Sequence, residues 1–440
     1  MTETTVDLLI KARWLVPVQP AGQVLEYAAL SVSKGCISGI HTWGESASIA
    51  ALQVVELPRH ALLPGLVNAH GHTPMTLFRG MADDLPLAQW LADHIWPAEG
   101  RWVSEDFVRD GSTLAMAEML LSGTTCFSDM YFFPDVTARV AEQLGMRAQI
   151  AFPVFETATA WGSGAEEYIH KGLVLHDQHK HSELLRVVFG PHAPYTVDDA
   201  TLARVAVLAE ELECGVHIHV HETAHEIADS LARHGMRPLQ RLAELGLLSP
   251  RTQCVHGAVL TSDDIALLAT HNSHVVHCPE SNLKLASGFC PVQQLRDAGI
   301  NVALGTDGAA SNNDLDLFGE LHTAALLAKA VAGDAAALPA AAALEMATLN
   351  GARAMGWDDR IGSLEIGKLA DVIAVDLSGL AQQPLYDVIS QLVYTQCGAR
   401  VSHSWIQGRA VLSDGQLQTV DTRALRQRVV QWRERIYSSH

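Results

Sequence analysis

The sequence predicts an α/β protein: a parallel (β/α)₈ barrel carrying a small β-sandwich built from both ends of the chain. Two observations predict the barrel. Between residues 64 and 308, eight short, apolar, β-branched runs mostly alternate with stretches of helical texture, the pattern of strand–helix units around a parallel sheet. Histidines or aspartates close at least six of those runs, and catalytic groups of such barrels gather where the strands end. A third observation predicts the sandwich. The first 58 residues and the segment near the other end share a texture of short apolar strands, and the two ends of a large domain often lie close together.

Taken in order, VDLLIKARWLVPV, YAALSVSKGCISGI and LQVVELP, punctuated by Gly22, Gly35 and Gly39, read as antiparallel strands. The barrel runs are LVNAH (66–70), GTTCFSD (123–129), RAQIAFPV (147–154), LLRVVFGPHAP (184–194), CGVHIHVHE (214–222), TQCVHGAVL (252–260), SHVVHCPES (273–281) and INVALGTDG (300–308). Linkers such as DDATLARVAVLAEELE and SDDIALLATH carry the helix period. Strand texture returns in GSLEIGKLADVIAVDL and VSHSWIQGRAVLSDGQL. From Thr422 to Ile436, Leu425, Val429, Val430 and Trp432 then share a helix face. The expected division is residues 1–58 with 362–418 as the sandwich, 59–361 as the catalytic barrel and 419–440 as a C-terminal helix.

Composition narrows the function classes. Of 440 residues 48% are apolar and 18% charged, which excludes a disordered chain. Thirty basic against 49 acidic residues leave a net charge of −19, so neither nucleic acid nor an anionic membrane is expected as a partner. The start, MTETTVDLLIKARW, has acids where a signal peptide needs bases. The longest apolar stretch, Ala324 to Leu344, is broken by Lys329, Asp334 and Pro339 and falls short of a membrane span. Seven cysteines without a CxxC suit reduced thiols in a cytoplasmic protein.

The chemistry lies in the 22 histidines, which cluster. His70 and His72, two apart on a strand, leave it on the same face and can share a metal. His217, His219 and His221 form a second same-face set, too many for one four-ligand site together with His70 and His72. His221-Glu222-Thr223-Ala224-His225 spells HExxH, a zinc-protease motif that works only on a helix. The preceding CGVHIHV reads as a buried strand, so the match is read as a chance overlap, and a zinc protease is the distant alternative. His256 ends the sixth run, and Asp307 ends the eighth, where a buried carboxylate must be paired or ligated. His277 also ends a strand but is read as structural.

PGLVNAHGHTPMTLFRG, FGPHAPYT, HVHET, VHGAVL, HCPESNLKLASG and LGTDGAASNNDLD, in that order, closely resemble the amidohydrolase superfamily. The closer resemblance is to its 5'-methylthioadenosine/S-adenosylhomocysteine deaminase branch, and it runs over nearly the whole chain. It implies a TIM-like metal-dependent hydrolase barrel whose one divalent metal, zinc for preference, is held by His70, His72, His219 and Asp307. It implies Glu222 as proton shuttle, His256 facing the metal-bound water, Asp307 as base, and Glu99 and His192 as substrate contacts, with Glu99 placed for the ribose hydroxyls. The lysine that bridges two metals in relatives is absent from VVFGPHAP, which favours a single metal.

The implied reaction is hydrolytic deamination of an adenine nucleoside to its 6-oxo product with release of ammonia, as in purine salvage. Guanine deaminase or triazine chlorohydrolase is the alternative on the same scaffold, and a non-catalytic barrel should have lost ligands that this chain keeps. The resemblance suggests a homo-oligomer, a dimer or tetramer. The segment VFETATAWGSGAEEYIH lacks the arginine with which relatives hold an amino-acid carboxylate and carries glutamates at 156, 166 and 167. An acidic loop at the 5'-site would disfavour S-adenosylhomocysteine and favour 5'-methylthioadenosine, adenosine and 5'-deoxyadenosine.

Overall fold

In the structure, a computed structural model describing residues 5–438, two eight-stranded sheets divide the strands between them. Residues 1–4 and 439–440, the outermost parts of the expected terminal segments, lie outside the described residues. Four strands come from the start of the chain: β1 (Val6–Leu15), β2 (Leu25–Ser33), β3 (Cys36–Thr42) and β4 (Ala51–Pro64). Eight form the barrel: β5 (Leu66–Asn68), β6 (Thr124–Asp129), β7 (Arg147–Val154), β8 (Leu185–Pro191), β9 (Val216–Val220), β10 (Thr252–His256), β11 (His274–His277) and β12 (Val302–Leu304). The last four, β13 (Val372–Asp376), β14 (Val401–Ile406), β15 (Arg409–Ser413) and β16 (Gln416–Leu417), rejoin the first sheet.

The barrel strands pair in sequence order, all parallel. The ring closes between its first and last members. Ala69 N–H donates to the Leu304 carbonyl at 2.8 Å and Asp307 N–H to the His70 carbonyl at 3.0 Å. Asn68 completes the seam, accepting from the Thr306 N–H (3.0 Å) and donating to the Thr306 hydroxyl (2.8 Å). Gly305 permits that approach, because a Cβ there would lie 2.8 Å from the His70 nitrogen. Each expected run supplies one barrel strand.

The other sheet runs β16-β15-β14-β13-β4-β1-β2-β3 and folds over on itself. Cys36 bridges to Leu369, and the Ile37 N–H donates to the Lys368 carbonyl. Leu8, Ile10, Leu30, Ile37, Val372 and Trp405 fill its own apolar core. The expected boundary at residues 58/59 falls inside β4, which continues to Pro64 because β13 pairs with its final residues from His60 onward. β4 then runs through Gly65 directly into β5, so one extended segment joins the two sheets. The helix at Thr422–Tyr437 docks where the Trp432 indole donates to the buried Asp110 carboxylate at 2.9 Å. No helix among the described residues is long and apolar enough to cross a membrane.

A buried ion pair also ties the sheets together. Arg147, at the start of β7, has a fully buried side chain, and its Nε donates to Asp371 Oδ2 at 2.9 Å. Asp371 also accepts the Gln407 N–H at 2.8 Å. Removing one partner of such a pair strands a charge in the interior. Asp371→Leu should therefore cost about 3–5 kcal/mol in chemical denaturation, and the double replacement Arg147→Met/Asp371→Leu should cost clearly less.

Candidate functional site

The barrel strands deliver their polar residues to one end. His70 and His72 follow β5, His219 lies on β9, and Asp307 follows β12. Four donor atoms converge there. His219 Nε2 lies 3.2 Å from His70 Nε2 and 3.3 Å from His72 Nε2, and both of those nitrogens lie 3.2 Å from Asp307 Oδ1. A tetrahedral zinc with ligand bonds of about 2.0–2.1 Å places its donors about 3.3 Å apart. The donor set fits such an ion in chemistry, and these four separations match its spacing.

Each imidazole is anchored through its other nitrogen, as metal-ligating histidines usually are. His72 Nδ1 lies 2.6 Å from the Met130 carbonyl, and His219 Nδ1 lies 2.7 Å from the His192 carbonyl. A carbonyl only accepts, so both Nδ1 atoms carry the proton and both Nε2 lone pairs face the cluster. Asp307 is held on its other oxygen by the hydroxyls of Ser281 (2.6 Å) and Ser311 (3.1 Å), while Oδ1 accepts the Gly308 N–H. Asp129 does not reach the cluster; it accepts the Thr73 N–H at 2.6 Å and fixes the loop that carries His72.

Glu222 and His256 stand beside the donors, with His256 Nε2 3.9 Å from Glu222 Oε2. His256 Nδ1 is fixed by Asn282 Oδ1 at 3.0 Å. Burial pushes the Glu222 carboxyl above its ordinary value. Glu226 presents Oε1 to the His221 N–H and Oε2 to the Glu222 N–H, at 3.0 and 2.8 Å, and so sets the turn that carries Glu222. Burial raises the Glu226 carboxyl to about 7. His221, His256 and Asp307 all adopt left-handed backbone, with φ of 56°, 77° and 62°. Such conformations cost energy in non-glycine residues and concentrate at functional sites.

The cluster floors a cavity of about 480 Å³, within the size range of small-molecule sites. Its far wall comes from residues 87–103, which form a π turn at Trp90–Ile95 between two short helices. Trp90, Leu91 and Trp96 make that wall apolar. Glu99 lines the cavity and accepts the Tyr131 hydroxyl at 2.6 Å; burial raises its carboxyl to about 7, and the Tyr131 bond opposes the shift. His192 stacks on Phe155 at 4.6 Å, and burial holds its ring down at about 3, so it enters hydrogen bonds as a neutral group.

The expected site residues His70, His72, His219, Asp307, Glu222, His256, Glu99 and His192 thus occupy or line one cavity. Tyr131, Ser281, Ser311, Asn282 and Glu226 went unread, although HCPESN and the run after Asp307 already contained three of them. The HExxH match separates. His221 closes β9, with Nδ1 on the Val259 carbonyl and Nε2 accepting the Leu239 N–H, whereas His225 is exposed on the next helix. His277 is buried with neither ring nitrogen partnered.

The acidic loop needs a correction. It reaches the cavity through Thr157, Ala158, Thr159 and Ala160, and its glutamates point elsewhere. Glu166 pairs with Arg204, Glu167 with Lys171 at 2.6 Å, and Glu156 accepts the Asp198 N–H. Surface partners satisfy these carboxylates, so none of them supplies charge at the cavity wall. Among the described residues, neither arginine nor lysine lines the cavity.

The amidohydrolase family model matches residues 61–411. Over 435 residues the chain is 56% identical to a protein of Saccharophagus degradans named 5-methylthioadenosine/S-adenosylhomocysteine deaminase, covering 99% of this chain and 98% of the relative. A 5'-deoxyadenosine deaminase of Methanothermobacter thermautotrophicus is 44% identical over 360 residues, 82% of this chain and 84% of its own. The crystal structure of a zinc-bound adenosine deaminase from Xanthomonas campestris superposes with a TM-score of 0.98 at 52% identity, covering 99% of both chains.

The geometry separates the clustered His219 from the exposed His225. Purified protein should carry one equivalent of metal by elemental analysis. His219→Ala should lose it and His225→Ala should keep it.

Proposed function

This chain belongs to the amidohydrolase family, and from that premise we propose that it deaminates adenine nucleosides hydrolytically, replacing the 6-amino group by oxygen and releasing ammonia. The observation that carries the reading is the composition of one cavity. A four-donor metal cluster and the Glu222–His256 pair lie at one end, Glu99 lies on the wall, and apolar side chains without a cation make up most of the remainder. The named relatives act on adenosine derivatives, which supports the same substrate class here.

His70, His72, His219 and Asp307 would hold the divalent ion, zinc, whose Lewis acidity lowers the pKa of a water to about 7. Glu222 carries a proton at higher pH than an ordinary carboxyl because it is buried. It can therefore give that proton to purine N1, without which the aromatic ring resists addition, while the proton that Asp307 takes from the incoming water would go to the departing amino nitrogen. His256, its Nδ1 proton spent on Asn282 Oδ1, directs Nε2 into the cavity, where only the doubly protonated ring would donate to charge developing on oxygen. Asp307 Oδ2, cradled by Ser281 and Ser311, is the nearby proton acceptor. Glu99 receives the ribose diol on the oxygen that Tyr131 leaves free, and neutral His192 contacts the nucleoside across the cavity.

The apolar wall and missing cation suit a small 5'-group. 5'-Methylthioadenosine, adenosine and 5'-deoxyadenosine rank above S-adenosylhomocysteine, whose carboxylate would be buried without a partner. The reading takes the protein as a cytoplasmic homo-oligomer, a dimer or tetramer, and its net charge of −19 supports the expectation of no nucleic-acid or anionic-membrane partner.

An ultraviolet assay of adenine-to-hypoxanthine conversion on a nucleoside panel tests the reading. Higher kcat/KM for 5'-methylthioadenosine than for S-adenosylhomocysteine is expected. Preference for guanine or a triazine over every nucleoside would overturn the substrate class. Glu222→Gln should retain metal and bind nucleoside while kcat falls about a hundredfold or more.

A further inference from the structure

The interior of a (β/α)₈ barrel is normally packed with branched apolar side chains. Directly beneath the four donors this one carries a polar layer: Ser128 on β6, Gln149 on β7, His217 on β9 and Gln253 on β10, all fully or almost fully buried. The hydrogen bonds of this layer have a direction, and it can be traced atom by atom.

The Ala354 carbonyl, at the end of the short helix Leu349–Ala354, accepts from Gln253 Nε2 at 2.8 Å. A carbonyl cannot donate, so the Gln253 amide has only one satisfactory orientation. A flipped amide would set oxygen against oxygen. Gln253 Oε1 is thereby turned toward His217 Nδ1, 2.9 Å away, and that nitrogen must carry the proton. A neutral imidazole has one N–H, so His217 Nε2 is an acceptor. It lies 2.8 Å from His70 Nδ1, and the two rings are within 22° of parallel. His70 Nδ1 must therefore donate, and its lone pair falls on Nε2, the atom that faces His219 and Asp307.

His72 and His219 have their tautomers set directly by backbone carbonyls. His70 has no such carbonyl, and His217 takes that place only because Gln253 orients it. Gln149 supplies a built-in comparison. It exchanges two 3.0 Å bonds with Gln253 and donates to Ser128 at 2.9 Å, yet it neither touches His217 nor fixes the orientation of Gln253.

We propose that Gln253 and His217 are positioning residues that impose the metal-binding tautomer on His70 through the hydrogen-bond chain Ala354–Gln253–His217–His70. This also gives His217 a task in the HIHVHE run. The inference rests on the reading of His70 as a metal ligand.

The test is zinc affinity of the full-length protein, measured by competition with a chelating dye, alongside thermal unfolding. Gln253→Leu and His217→Phe should each weaken zinc by about 10–100-fold, the scale of lost outer-shell partners. Gln253→Glu should restore binding, because a neutral carboxyl can donate to Ala354 while still accepting from His217. Gln149→Leu should leave zinc affinity close to that of the unmodified protein. If Gln253→Leu does not fold, His217→Phe against Gln149→Leu makes the same comparison. The inference is overturned if Gln149→Leu weakens zinc as much as Gln253→Leu or His217→Phe, or if neither of those two changes it. Unmodified protein that holds no zinc would instead overturn the underlying metal-site reading.

Discussion

The seam between the first and last barrel strands is the constraint on which the rest of the site depends. Asn68 bonds twice to Thr306, and the Asp307 N–H bonds to the His70 carbonyl. Two segments more than two hundred residues apart are thereby locked in register. His70 and Asp307 are then neighbours because their backbones are already paired. An open sheet would leave the HxH pair at one edge and the aspartate at the other. Closure places their donor atoms 3.2 Å apart and costs the positive φ at Asp307, a local strain that the seam is strong enough to hold.

Around that seam the protein treats buried polarity in two ways. The clustered histidines and Asp307 are each held by a second partner: a carbonyl, a pair of serine hydroxyls, or another imidazole. The Glu222 carboxyl beside them is left less constrained. Glu222 is raised by burial, and His256 Nε2 stands 3.9 Å from its carboxylate. Its backbone is nevertheless fixed by Glu226, so the turn is rigid while the carboxyl stays chemically available. The cavity above is largely apolar, which strengthens every electrostatic contact made at its floor.

Much of this was legible in the sequence because strand residues alternate faces and barrel sites collect at strand ends. His70 and His72, His219, His256 and Asp307 could each be placed at the mouth from those two regularities. Pattern alone could not say which of His217, His219 and His221 would serve, since all three share a face. Depth along β9 separates them: His219 meets the cluster, His217 lies one layer below, and His221 turns away with the chain. The acidic loop misled for a related reason. Sequence shows that glutamates occur in the segment after β7, but helix and turn geometry sends those carboxylates to Arg204, Lys171 and the Asp198 backbone.

What the sequence by itself determined is the repeat of strand and helix, the histidines and aspartates at the strand ends and the absence of a lysine from the fourth run, because these are properties of local pattern and residue type. Three things only the tertiary structure decided: the spacing of the donors, the tautomers of the histidines, and the π-turn wall of residues 87–103 that shapes the cavity. Each depends on partners distant in the chain. A nitrogen's proton is assigned by whichever carbonyl or amide the fold brings to its other side, and no periodicity along the chain encodes that meeting.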